Sequence, residues 1–188
     1  MGTMKVARST AEVRRAEAVD AGLRAFGENG LTTAAITEVA AEIGVSQPYI
    51  FRLFGGKRDF FLACMDELER RELEAFTGEH TRIAETFEEM GARFRGLVGD
   101  GVLGAFSIQA LAVARTDPDV ATRYRRMLAT TLNAVRERTG ASGEELTLFL
   151  ARGVLIVQLQ ALAVDVTTMT AAEAIMNLLN EAEENGSR

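Results

Sequence analysis

The chain has 188 residues, 47% of them hydrophobic and 26% charged, with two prolines. That balance favours a globular, helix-rich protein over disorder and is too short for two full-sized domains with independent cores. The net charge of -6 argues against a nucleic-acid partner if spread evenly, but residues 1–60 hold eight Lys/Arg against seven Asp/Glu, so the excess acid sits downstream.

A short basic arm opens the chain, where Lys5, Arg8, Arg14 and Arg15 face only Glu12. Tryptophan is absent and Val/Ile/Thr alternation at period two is hard to find, so no sheet is expected. Cys64 is the only cysteine, which rules out an intramolecular disulfide. With no basic-then-apolar leader, a reducing cytoplasm is the expected setting. The most apolar run, Gly153 to Val164, contains Gln158 and Gln160 and falls short of the ~20 residues that cross a bilayer, so no membrane partner is expected.

Helix starts are marked by a Ser or Thr three residues before a Glu, since hydroxyl and carboxylate then satisfy each other's end of the helix N-terminus. Three such boxes are singled out: Ser9/Glu12, Ser142/Glu145 and Thr170/Glu173. The first is expected to open a helix to about Asn29, with Val19, Leu23 and Phe26 on one face and Gly30 as its cap. A second runs from about Ala34 to Ile43 and is stopped by Gly44. A third begins near Ser46, tolerates Pro48 in its first turn and ends at Phe54-Gly55-Gly56. Further helices are expected over 58–77, then up to Val98 after a break near Gly78 to His80, and over 102–115. The last three are placed from Asp117-Pro118 to about 139, over 144–165 and over 171–184. The expectation is therefore all-α with about nine helices.

Ala40-Ala41-Glu42-Ile43-Gly44-Val45 followed by Ile50 has the spacing of a helix-turn-helix. Ala40 permits close approach of the next helix, and Gly44 accepts the positive φ of a tight turn. Val45, Ile50 and Leu53 or Phe54 pin the second helix by burial. Ser46, Gln47, Tyr49 and Arg52 are left exposed, a set of donors, acceptors and one cation suited to base edges and phosphates in a major groove. An ordinary helical hairpin in a bundle has the same spacing.

Residues 14–65 also resemble the tetracycline-repressor (TetR) family of bacterial transcriptional regulators. Arg15 through Gly30 is similar to the family's first helix. Gly44 through Phe61 (GVSQPYIFRLFGGKRDFF) is similar to its recognition helix and following lysine-bearing turn. The resemblance implies that Gln47, Pro48, Tyr49 and Arg52 face bases and nearby backbone and that Lys57 meets a phosphate. The Lys57 role also follows physically, since a lysine beside helix N–H groups makes a phosphate site. This chain departs from the family in having Phe51 where tyrosine is common, Leu53 where histidine is common, and Ala34-Ala35 where a Thr pair usually starts the second helix. Tyr49 and Thr33 are the candidates to substitute as phosphate contacts.

Beyond Met65 the residues indicate a helical bundle. Phe87, Met90, Phe94 and Leu97 keep helical spacing, as do Phe106, Ala110 and Val113, and Met127, Leu128, Leu132 and Val135. A Met and Phe lining suits an apolar ligand, and Gln109 is placed to orient one, although such residues equally fill a core. Phe87, Met90, Phe94, Phe106, Gln109 and Met127 are the candidate effector contacts. Leu150, Gly153, Val157, Ala161, Ile175 and Leu179 mark the last two helices as candidates for a four-helix dimer interface, with core packing as the alternative.

An enzyme is disfavoured by the inventory of chemistry. His80 stands alone, Cys64 has no histidine near it in sequence, no Cys/His spacing fits a metal, and Gly55-Gly56 lacks a nucleotide-binding context. No cofactor is expected. Residues 1–58, including the arm 1–15, are expected to bind DNA, and 59–188 to bind effector and dimerise. The resemblance implies a homodimeric repressor on a palindromic double-stranded operator, released by a small, largely apolar molecule. A small helical ligand-binding protein or enzyme is the alternative.

Overall fold

Uninterrupted stretches of Ala, Leu, Glu and Arg let helices propagate until Gly or Pro stops them, and the computed structural model, which describes the backbone of residues 3–78 and 86–186, is all-α. Nine helices occur among the described residues: α1 (Thr3–Asn29), α2 (Thr33–Glu42), α3 (Gln47–Phe54), α4 (Lys57–Thr77), α5 (Phe87–Val98), α6 (Val102–Ala114), α7 (Pro118–Thr139), α8 (Gly143–Ala161) and α9 (Ala171–Gly186). His80 lies outside the described residues, as do the side chains of Lys5 and Arg8.

Three boundaries differ from expectation. α1 starts at Thr3, so the Ser9/Glu12 box lies inside it rather than at its start. No Gly or Pro between Met4 and Thr10 breaks the helix. α5 is capped by a box that the sequence reading passed over, in which Thr86 accepts from the Glu89 amide and Glu89 from the Thr86 amide. α8 ends at Ala161 instead of continuing to 165. There Asp165 draws the backbone into a turn of its own, accepting from the amide and hydroxyl of Thr167 at 2.8 and 2.7 Å and from the Thr168 hydroxyl. The other two boxes, Ser142/Glu145 and Thr170/Glu173, form reciprocal caps at the starts of α8 and α9.

The Thr168 and Thr167 hydroxyls hold the Asp165 carboxyl down to about 2. A depressed folded value makes the turn's contribution present above the unfolded carboxylate pKa and lost as pH falls through about 2. Carboxyl NMR titration should therefore show one late midpoint near 2 that Asp165→Asn removes. A midpoint at the ordinary carboxylate value would mean that the turn does not form.

Two compact units emerge. The first comprises the chain through Arg70 together with Ala105–Leu128. Its core holds Leu23, Phe26, Ile36, Ile50, Phe60 and Phe61 at 0% exposure, with Phe106 also at 0%. Phe26 meets Phe60 and Phe61 edge-on, at 5.1 and 5.2 Å between centroids, and Phe61 meets Phe106 at 4.9 Å. Gly27 brings the end of α1 against α6: a Cβ there would lie 3.2 Å from the Phe106 amide nitrogen and 3.3 Å from Ala105 Cβ. Arg123 of α7 is 7% exposed and reaches Asp66 and Glu69 of α4 at 2.6 and 2.5 Å.

The second unit comprises Arg71–Gly104 and Ala129–Arg188. Its core is Phe76, Met90 and Val135, with Phe87, Phe94, Leu146 and Phe149 packed around them. Phe76 stacks on Phe94 at 5.9 Å and meets Phe149 edge-on at 5.3 Å. Arg93 donates to the Ala75 carbonyl at 2.6 Å, and the Gln160 amide donates to the Val98 carbonyl. No single described helix is long and apolar enough to cross a membrane.

Candidate nucleic-acid interface

The turn between α2 and α3 forms as its residues require. Thr32 caps α2 by accepting from the Ala35 amide at 3.3 Å, and Gly44 takes φ 68 with nothing within 4 Å of where a Cβ would stand. A side chain at Gly44 would thus meet no neighbour, yet its backbone would be strained. The Val45 amide then closes the turn onto the Ala40 carbonyl at 2.9 Å. Ile50 at 0% and Phe54 at 8% exposure fix one face of α3 inward.

That burial decides what α3 presents. Ser46, Pro48, Phe51 and Arg52 are exposed, and Gln47 and Tyr49 are half-buried. Ser46 sits at the N-cap without a side-chain capping bond. Its hydroxyl is therefore not spent on the helix start. The Arg52 guanidinium lies 5.3 Å from the Tyr49 ring centroid, which draws the cation towards one edge of the helix. Thr33 is exposed at the first position of α2, below the capping Thr32. Lys57 opens α4, and the Asp59 carboxylate folds back beside Gly55, 3.1 Å from where a Cβ would stand. A phosphate reaching that helix end meets both charges.

Two arginines assigned to the basic arm, both exposed, fold back onto the ends of neighbouring helices. Arg14 donates to the Ile43 carbonyl at 3.2 Å, and Arg15 donates to the Leu53 carbonyl at 2.7 Å while lying 4.2 Å over the Phe54 ring. These carbonyls are at the negative ends of α2 and α3, where a cation is favoured. Arg24 pairs with Glu42, and the Asn29 amide donates to Glu38 at 2.9 Å, which fastens α1 along α2. At the start of α4, Arg58 is committed to Asp117 at 2.9 Å and Asp119 at 2.7 Å.

The candidate effector residues divide between the units. Phe87, Met90 and Phe94 belong to the aromatic core of the second, with Met90 fully buried and the two rings half-buried. Phe106 and Met127 are core residues of the first, at 0% and 1% exposure. Gln109 is turned towards the end of α1, its Oε1 3.2 Å from where a Cβ on Gly30 would lie. Cys64 is buried, and burial followed by the nearby Asp20 charge pushes its thiol well up, away from the thiolate form that nucleophilic chemistry needs.

On the last two helices the candidate dimer residues also divide. Ala161, Ile175 and Leu179 are exposed, whereas Leu150, Gly153 and Val157 are half-buried. A Cβ on Gly153 would lie 3.7 Å from the Phe94 ring, and Val157 stands beside Gly104, so both face their own unit. The exposed apolar surface includes Leu148 and Val154 of α8, Leu162 just past its end, and Met176 of α9, none of them singled out from the sequence. The periodic signal gave the helix but not which of two apolar stripes faced outward.

Residues 18–64 match the family model described as bacterial regulatory proteins, tetR family. The chain is 37% identical over 79 residues to the HTH-type transcriptional regulator BetI of Brucella canis, covering 38% of this chain and 40% of the relative. It is 38% identical over 58 residues to BetI of Brucella anthropi, covering 31% and 30%. The chain thus spans about two fifths, or less, of the length of these curated relatives. In overall fold it is similar to a protein from Mesorhizobium loti described as a TetR-family transcriptional regulator, with TM-score 0.56, 18% identity and coverage of 87% and 90%. A transcriptional regulator from Saccharomonospora viridis, solved in complex with choline, gives TM-score 0.57 at 18% identity, with coverage of 91% and 96%.

Proposed function

We propose that the chain is a tetR-family regulator, on the match of its residues 18–64 to that family model, and that it acts as a cytoplasmic homodimeric repressor that holds an inverted-repeat operator and releases it on binding a small molecule. The observation that carries this reading is α3 itself. Ile50 and Phe54 anchor it, and its outer face bears Ser46, Pro48 and Arg52, with Lys57 at the next helix start. Residues 1–58 do the reading in this proposal, and 59–188 supply dimerisation and response.

The second copy is supported by the exposed apolar side chains of α8 and α9, among them Leu148, Val154, Ile175 and Leu179. Two recognition helices would then enter successive major grooves about 34–36 Å apart. For the effector, the half-buried rings of Phe87 and Phe94 are the candidate contacts for a small, largely apolar molecule. The choline held by the Saccharomonospora protein supports a small ligand in this fold. A ligand acts only by differential affinity for the DNA-bound and released forms, and a coupling of about 1–3 kcal/mol reduces operator affinity about 5- to 150-fold.

Footprinting and operator variants test the DNA role. Arg52→Ala should relax base preference at one position per half-site, at a cost of about 1–3 kcal/mol there. Lys57→Ala should weaken all sequences together and shallow the salt dependence by about one unit of slope. Matching losses across an operator panel would refute the division of roles, and failure to protect any duplex would refute the function.

A further inference from the structure

Among the described residues of α1 to α3, the exposed large apolar side chains are Val13 and Phe51. Val13 is on the outer part of α1, whereas Phe51 is on the helix that carries the reading face, 37% exposed. Successive residues on a helix are rotated by about 100°, so Phe51 stands a quarter-turn from buried Ile50 and next to the outermost Arg52. The fold does not use it as it uses Ile50 and Phe54, which are almost wholly covered.

The face of α3 has two edges. On one, Arg52 leans over the Tyr49 ring. On the other, Gln47 and Phe51 are four residues apart and therefore share a ridge. A phenyl ring offers neither donor nor acceptor to a phosphate or a base edge. What it can engage in a major groove is the 5-methyl group of thymine, the one apolar feature that a base pair presents there.

We propose that Phe51 is a specificity-determining residue that reads a thymine methyl group in each half-site. The inference rests on the DNA-binding reading and deepens it by naming a base. Gln47, on the same ridge, has the bidentate amide suited to adenine. Four helical residues span about 6 Å, less than two base-pair steps of about 3.4 Å, so the two contacts fall on neighbouring base pairs.

The test begins with the full-length protein and a duplex that it enriches from a randomised pool. That duplex is resynthesised with uracil in place of each thymine in turn, which removes the methyl and nothing else. One position per half-site should lose affinity about fourfold, the equilibrium equivalent of one buried methyl-sized group. Phe51→Ala should lose a similar factor on the thymine duplex and show no difference between thymine and uracil at that position. The uracil series on the unaltered protein needs no variant to fold. A flat series, or a thymine–uracil difference that persists in Phe51→Ala, would overturn the assignment and leave DNA binding intact. Failure to enrich any duplex would overturn the DNA-binding reading and this assignment with it.

Discussion

Phe26→Ala should destabilise the protein by about 3–5 kcal/mol, the range for removing a large aromatic side chain from a packed core. Phe26 is fully buried, with the Phe60 and Phe61 rings edge-on at 5.1 and 5.2 Å. Its removal leaves a hole between α1 and α4 that rigid helices cannot close, and both partner rings lose a favourable contact as well. Urea unfolding should show the midpoint falling with the slope nearly unchanged. Phe26→Leu, which keeps most of the volume, should lose clearly less. Equal midpoints for the alanine variant and the unaltered protein would show that the aromatic cluster does not hold the first unit together.

Glu69→Ala should cost about 3 kcal/mol, far more than Asp66→Ala, although both carboxylates pair with Arg123. The difference is solvent. The Asp66 side chain is 63% exposed, so water replaces it cheaply, and its loss should cost less than about 1 kcal/mol. The Glu69 side chain is 16% exposed and faces a guanidinium that cannot shed its proton. Without Glu69 the buried charge keeps one exposed partner, and Arg123 Nη1 already has no hydrogen-bond partner. Replacing the pair together, as Glu69→Leu with Arg123→Met, should restore most of the loss because no charge is left buried. Denaturation of the three variants measures the order, and an Asp66→Ala loss equal to that of Glu69→Ala would overturn it.

The helix-turn-helix was legible because its constraints are local. Ala40, Gly44, Val45 and Ile50 each have one tolerable environment, and a tight turn links them within a few residues. The caps at Ser142 and Thr170 were legible for the same reason. Ser9/Glu12 has the same pattern but no break before it, so the local signal lost to helix propagation from Thr3. For Gln109 the spacing shows only apolar neighbours, whereas in the fold its side chain lies beside the end of α1, a proximity of residues distant in sequence. Arg14 and Arg15 read as free basic charge because nothing in the sequence marks Ile43 and Leu53 as helix ends with open carbonyls. Which apolar stripe of α8 faces outward depends on where Phe94 packs, and periodicity alone does not carry that information.

The contact of Gly27 with Ala105 and Phe106 also sets an order of events during synthesis. The first unit is discontinuous in sequence, since residues 71–104 belong to the other unit. A ribosome delivers Phe26, Phe60 and Phe61 before it delivers Phe106, which covers Phe61 at 4.9 Å. Until then the nascent first unit carries an uncovered aromatic edge, so its last cooperative step waits for α6 and α7 to emerge. At roughly 5–20 residues per second, that wait lasts a few seconds. The part of the protein made first is therefore finished late, and the interval is when a nascent chain-binding chaperone has an apolar surface to hold.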